Sequence, residues 1–342
     1  MGFSKEKKEV IKKYILERIR DKESPYEKTL AMFKVSRQTV TKYLSELEQQ
    51  NLITSSGGKT KKKYELKYIV EIQETFKNIK ELDEQTIYEK VIKDRLTDKK
   101  ENVRNIIHYA FTEMVNNAID HSGSEELKIR YDETYFDIGI VIWDSGIGIF
   151  KKIMLDHNLK NEDEAIFELG KGKLTSDKQR HSGEGIFFTS RAVDSFIIFS
   201  GKKVFHSPDS NKDVLEEHRM SDLNGTIVCL DINKESETNL TELFSKYSDE
   251  EYNFSKTEIR IKLAEQYSDS LMSRSQAKRI LSRIEKFKEV VLDFDEVKII
   301  GQGFADEIFR IFMHEHPNIK VHCINCNSEV EFMIQRAKKT IL

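Results

Sequence analysis

Glu113-Met-Val-Asn-Asn117, Asp144-Ser-Gly-Ile-Gly148 and Gly183-Glu-Gly185 follow one another through the middle of a 342-residue chain, and their order decides how the rest is read. The first stretch lies in an amphipathic helical pattern, with apolar residues at Val103, Ile106, Ile107, Ala110, Phe111, Met114, Val115 and Ala118. At about 100° per residue that face spans roughly half the circumference, with Glu113 on its edge and Asn117 and His121 inside it. A polar group turned toward a packed sheet needs a partner, because leaving it bare costs about 1–3 kcal/mol. Two readings follow. Either neighbouring backbone satisfies these side chains, or Glu113 and Asn117, one turn apart, face a ligand and its metal.

The second stretch favours the ligand. Residues 137–143 read as a buried strand, with 127–135 as its hairpin neighbour, and the strand stops at Asp144. Gly146 and Gly148 permit close approach of backbone to a ligand. An ionised carboxylate only accepts hydrogen bonds, so Asp144 suits the exocyclic amine of adenine and repels the carbonyl oxygen of guanine. A long polar stretch at 151–182 reads as a flexible lid, with Lys171 and Lys173 as candidate phosphate contacts. Gly183 and Gly185 then open an apolar run as a helix N-terminus, where backbone N–H groups attract phosphate. Gly172-Lys173 is followed by Leu174 and lacks the glycine spacing of a Walker A loop, and the third glycine of a Rossmann fingerprint is missing. Thr226, at the head of a strand over 227–232, is placed to reach the adenine side.

The ordered set Glu113-x-x-x-Asn117, Asp144-x-Gly146-x-Gly148, Gly183-x-Gly185 and Gly225-Thr226 resembles the GHKL superfamily of ATP-binding domains. The resemblance covers roughly residues 101–233. It implies an α/β sandwich in which Asn117 coordinates Mg²⁺, Asp144 reads adenine and the lid glycines wrap the triphosphate. It matches Glu113 to the acid that polarises water in hydrolysing members and helps activate the acceptor in phosphotransfer members. No histidine occurs between Tyr68 and Lys100, a segment that reads as a charged helical connector, and His108 shares the helix of Glu113. A conventional two-component kinase is therefore not expected.

The first 65 residues carry 13 Lys and 3 Arg against 9 acids, a net of +7, whereas the whole chain is −3. That asymmetry points to an anionic partner. Amphipathic helices at 8–20 and 26–33, a turn, a helix at 37–50 with Ser36 as its N-cap, and two short strands around a basic loop resemble a winged helix-turn-helix DNA-binding domain. In such a domain Arg37, Gln38, Thr39, Thr41 and Lys42 lead the recognition helix, and Lys59, Lys61, Lys62 and Lys63 contact phosphate.

The last hundred residues alternate strand and helix: strands at 257–263, 289–294 and 319–324, and helices at 273–281, 303–314 and 329–340. Together with Ser273-Arg-Ser-Gln-Ala277 and Gly301-Gln-Gly-Phe-Ala-Asp-Glu307, this resembles the STAS-like domains that accompany some GHKL ATPases. The loop Ile300-Gly-Gln-Gly-Phe304 lacks the phosphorylatable hydroxyl that STAS antagonists of anti-sigma kinases carry there, so a docking surface for a protein partner is the expectation. Cys323-Ile-Asn-Cys326 has no second pair, and zinc is not expected. No apolar run approaches the roughly 20 residues of a membrane span, and neither a signal peptide nor a membrane partner is expected.

The organisation expected is therefore multidomain α+β: a winged helix at 1–66, a helical connector at 67–100, a GHKL domain at 101–250 and a STAS-like α/β domain at 251–342. The function expected is a cytoplasmic regulator in which Mg·ATP controls DNA or partner binding, with ATP hydrolysis as its reaction and dimerisation as one route. The alternative is a protein serine/threonine kinase of the anti-sigma-factor type.

Overall fold

The computed structural model describes residues 4–58, 62–174, 183–206, 223–262 and 271–339. Residues 1–74 with 130–140 form one compact unit, and 75–129 with 141–342 form a second. The expected phosphate contacts Lys59 and Lys61 lie outside the described residues.

In the first unit, helices α1 (Lys5–Arg20), α2 (Glu27–Phe33) and α3 (Arg37–Gln49) precede an antiparallel pair, β1 (Ile53–Ser56) and β2 (Lys63–Leu66). Lys34 ends α2 in the left-handed conformation, and Ser36 caps α3 by accepting from Thr39 N–H at 3.2 Å. The apolar faces of α1 and α3 meet in a core that includes Ile11, Ile15, Val40 and Leu44. The Lys12 ammonium, 2.9 Å from Glu46, ties the two helices at the edge of that core. Phe136 joins the same core beneath the Arg20 guanidinium.

A six-stranded sheet has the order β3-β4-β5-β8-β6-β7, with β3 (Val70–Lys77), β4 (Glu126–Glu133), β5 (Asp137–Asp144), β6 (Ser195–Gly201), β7 (Lys203–His206) and β8 (Leu223–Asn233). The strand β3 corrects the expectation of a wholly helical connector. Val70, Ile72 and Phe76 alternate with polar residues at a period of two, which suits a strand face. A 3-10 turn at Ile79–Glu81 and then α4 (Glu84–Val91) follow, the latter capped by Asp83 through Thr86 N–H at 2.7 Å. Further on, α5 (Glu101–His121) lays Val103, Ile107, Phe111 and Val115 into the core.

The polar stretch expected as a flexible lid contains two helices, α6 (Ile149–Asp156) and α7 (Glu162–Lys171), the latter capped by Asn161. Each keeps an apolar stripe among its charges, which is why polarity alone misled. The remainder of that expected lid, 175–182, lies outside the described residues. Next come α8 (Gly185–Ala192) and α9 (Leu240–Tyr247).

The C-terminal segment forms a parallel three-stranded sheet in the order β11-β10-β9, with β9 (Lys256–Arg260), β10 (Glu289–Asp293) and β11 (Lys320–Ile324). Helix α10 (Arg274–Leu281) begins at a reciprocal capping box between Ser273 and Gln276. The helix expected at 303–314 divides into α11 (Gln302–Asp306), a π-helical stretch Glu307–Phe312 and α12 (Met313–Glu315). The chain ends in α13 (Ser328–Lys339). Phe187 and Phe188 of α8 and Tyr247 of α9 are buried in the same core as Ile280, Leu292 and Ile308.

Candidate nucleotide-binding site

A cavity of about 240 Å³ lies among α5, the end of β5, α6 and the start of α8. The carboxylate of Glu113 and the carboxamide of Asn117 line it from α5, with Asn116 and His121 beside them. Asp144 lines it from the end of β5, as the last residue on the buried face of a strand whose other face is only half-buried. Ile142, Ile153, Ile198 and Val228 supply an apolar wall of the kind that takes a flat aromatic ring.

Asp144 is 5% exposed, and burial pushes its carboxyl upward, opposed by hydrogen bonds from Gly146 and Thr226. The Gly146 N–H donates to Asp144 Oδ1 at 2.8 Å, and Thr226 Oγ1 accepts from Ile149 N–H at 3.0 Å. These bonds join β5, β8 and α6 at one corner of the cavity. Gly148 sits at φ +88°, and a Cβ there would fall 2.6 Å from Ser200 Oγ, so glycine is required where the chain turns into α6. Gly185 lies so close to Glu113 that a Cβ would collide with the carboxylate oxygen Oε2. The start of α8 is thereby seated directly on that carboxylate.

Seven expected residues come together: Glu113, Asn117, Asp144, Gly148, Gly183, Gly185 and Thr226 all line the cavity. Three do not. Gly146 packs on the Ser122 carbonyl and shapes the turn from outside. Lys171 is 2% exposed with its ammonium on Glu168 Oε1 at 2.6 Å, and Lys173 donates to the Lys286 carbonyl at 3.0 Å. Both lysines were expected on the triphosphate, and both are instead engaged with protein acceptors. Among the described residues the lysine that lines the cavity is Lys152, bridged to Asp156 at 2.9 Å, with His157 also in the lining. Sequence reading passed over Asn116, Lys152, Asp156 and His157; only the i,i+4 spacing of Lys152 and Asp156 on one helix face was available to find them. Burial and the nearby Arg283 push His157 downward, toward the neutral imidazole.

Residues 87–204 match the family model described as a histidine kinase-like ATPase domain, and residues 276–331 match a STAS-like domain of unknown function (DUF4325). No curated protein matches the chain. The chain therefore carries a histidine kinase-like ATPase domain and a C-terminal STAS-like domain. The first match implies ATP binding, and its span holds Glu113, Asn117, Asp144 and Gly185. Thr226 lies beyond that span and reaches the cavity through β8. No helix among the described residues is long and apolar enough to cross a membrane.

The donor set fits magnesium held jointly with a substrate. Among the described residues no group of three His, Cys, Asp or Glu could hold a metal alone. Magnesium on a nucleotide characteristically takes one or two protein oxygens and fills its shell with phosphate and water. Asn117 lines the cavity from α5 and carries such an oxygen, with Glu113 one turn before it.

Proposed function

We propose that this chain is an ATP-dependent regulator in which occupancy of the cavity beside Asp144 controls DNA binding by an N-terminal winged helix. The observation that carries the reading is the convergence of Glu113, Asn117, Asp144, Gly185 and Thr226 on one cavity from four separate elements. In this reading the Asp144 carboxylate accepts from the adenine amine, and the apolar wall stacks the ring. Asn117 would hold a magnesium ion, which would supply charge neutralisation to the phosphates. Glu113 orients and deprotonates the attacking water.

Support for the DNA-binding part comes from α3, whose Arg37, Gln38, Thr41 and Lys42 are exposed while Val40, Tyr43 and Leu44 are buried. The partly exposed Thr39 has its hydroxyl 3.0 Å from that of Ser36, and the Arg37 guanidinium stacks on Tyr26. Lys62, exposed beyond β1, pairs with Glu48 at 3.1 Å and would have to leave that carboxylate to meet a phosphate. The reading is tested by DNA affinity measured with no nucleotide, with ADP and with a non-hydrolysable ATP analogue. Affinity is expected to differ between the analogue and ADP; identical values would remove the switch.

A second reading, protein phosphorylation, draws on the adjoining STAS-like domain, a class that includes kinase substrates. Transfer of labelled γ-phosphate from ATP to a partner protein, rather than release of free phosphate, would favour it.

A further inference from the structure

Lys171, like Lys173, does not line the nucleotide cavity. Its ammonium, at the last residue of α7, is buried and donates to three acceptors: Glu168 Oε1 at 2.6 Å, the Ser282 carbonyl at 2.8 Å and the Arg279 carbonyl at 3.3 Å. Three protons meet three acceptors, so the amine is saturated. The Arg279 carbonyl, in the last turn of α10, also accepts from Ser282 N–H at 3.2 Å, and Ser282 is the C-cap, so both lie at a helix end whose dipole favours positive charge. A solvated lysine on α10 itself would meet that need at lower desolvation cost. Here a buried lysine from the ATPase domain caps a helix of the STAS-like domain.

The backbone around Lys171 is held by the same domain. Thr257 Oγ1, fully buried on β9, donates to the Lys171 carbonyl at 2.6 Å. Lys173 and Lys286 exchange ammonium-to-carbonyl bonds at 3.0 and 3.3 Å. Leu169 and Leu174, on either side of these anchors, line the nucleotide cavity. A further cavity residue is held likewise: Arg283 Nη2 donates to the carbonyl of His157 at 3.2 Å. Directly after Gly185, Phe187 and Phe188 are buried in the core of the STAS-like domain.

We infer that Lys171 is a positioning residue of the nucleotide cavity, and that the STAS-like corner at 279–287 is thermodynamically linked to nucleotide occupancy through it. The inference rests on the reading of the cavity as a nucleotide site. Linkage is reciprocal: whatever stabilises that corner tightens nucleotide binding, and nucleotide orders the corner.

The test is hydrogen exchange on the full chain with and without a magnesium-bound, non-hydrolysable ATP analogue. Parent protein is compared with Lys171→Met/Glu168→Gln, which removes both buried charges together, and with Thr257→Val, a milder loss that carries the comparison should the double variant not fold. In the parent, the analogue should slow exchange at 113–118 and at 279–287. In the variants, affinity should fall roughly 5–150-fold. At saturating analogue, protection at 279–287 should be lost while protection at 113–118 persists. Protection at 113–118 without any change at 279–287 in the parent, or unchanged affinity and protection in folded variants, overturns the inference alone. No response at either segment in the parent overturns the nucleotide site itself, and the inference with it.

Discussion

Burial raises the Asp144 carboxyl, and only its ionised form can accept from an adenine amine without donating in return. Affinity for an ATP analogue should therefore fall as pH drops through this raised value, beginning above the roughly 3.9 of a free aspartate. Stability moves the other way: a carboxyl whose folded pKa exceeds its unfolded one favours the folded state below the unfolded value, and that contribution is lost as pH rises through the folded one. Asp144→Asn should weaken adenine binding by roughly 10–100-fold, the weight of a charged hydrogen bond, and flatten the acid limb in a titration calorimetry series. At Gly185 the issue is contact. A methyl group there displaces the Glu113 carboxylate, a movable side-chain end, so Gly185→Ala should keep its melting temperature while kcat falls about 100-fold. Glu113→Ala should bind nucleotide and lose turnover, and Asn117→Ala should lose the magnesium dependence of binding. Unchanged phosphate release in the first, or magnesium-dependent binding in the second, removes these residues from their roles.

Among the elements, α8 joins the cavity to the C-terminal core. Its first residue, Gly185, touches Glu113, and its next turn buries Phe187 and Phe188, which pack edge-on to one another and against Tyr247 and Phe254. Phe188→Ala should cost about 3–5 kcal/mol in chemical denaturation, as expected for a buried ring replaced by a cavity. It should also weaken nucleotide binding, although its side chain does not line the site; normal nucleotide affinity in the folded variant would separate α8 packing from the cavity. A cap made one boundary legible: Ser36, read as an N-cap before an apolar-periodic run, accepts from Thr39 N–H in the first turn of α3, whereas the caps Asp83 and Asn161 sit in charged stretches that hid the starts of α4 and α7. The strand β3 was missed because its charged alternate positions resemble the charged face of a helix. Its two-residue period, short and interrupted at Glu74, was the signal that separated the two.

At the scale of the molecule, charge divides the chain. The first 65 residues carry +7 within a chain of −3, a distribution that under the proposed DNA-binding reading would steer a polyanion toward those residues. DNA affinity should fall linearly in log K against log salt, by about 0.9 per phosphate neutralised. Lys42→Ala should lower that slope by about one without altering sequence preference, whereas Arg37→Ala should relax preference at one base position. Equal slopes for parent and Lys42→Ala would place the phosphates elsewhere. Most of the ATPase domain shares one compact unit with the STAS-like domain, and Phe187 and Phe188 of the first are buried in the core of the second.

From its sequence alone the chain determined which segments could be helix or strand, and which polar residues would be anomalous on an apolar face. Period and capping act within about four residues and are written locally. Glu113, Asn117 and Asp144 stood out for that reason, as carboxylates and a carboxamide at places where burial would otherwise be penalised. Tertiary structure alone decided what Lys171 does, since its carbonyl partner Ser282 lies 111 positions away and leaves no trace near it. It also placed Lys152 and His157 at the cavity, and Phe187 and Phe188 in the C-terminal core. Glycine and lysine at 170–173 suit a phosphate loop and a buried interdomain anchor equally well as a string of residues. The difference is made by whether the ammonium meets phosphate or backbone carbonyls, and that depends on packing between segments far apart in the chain.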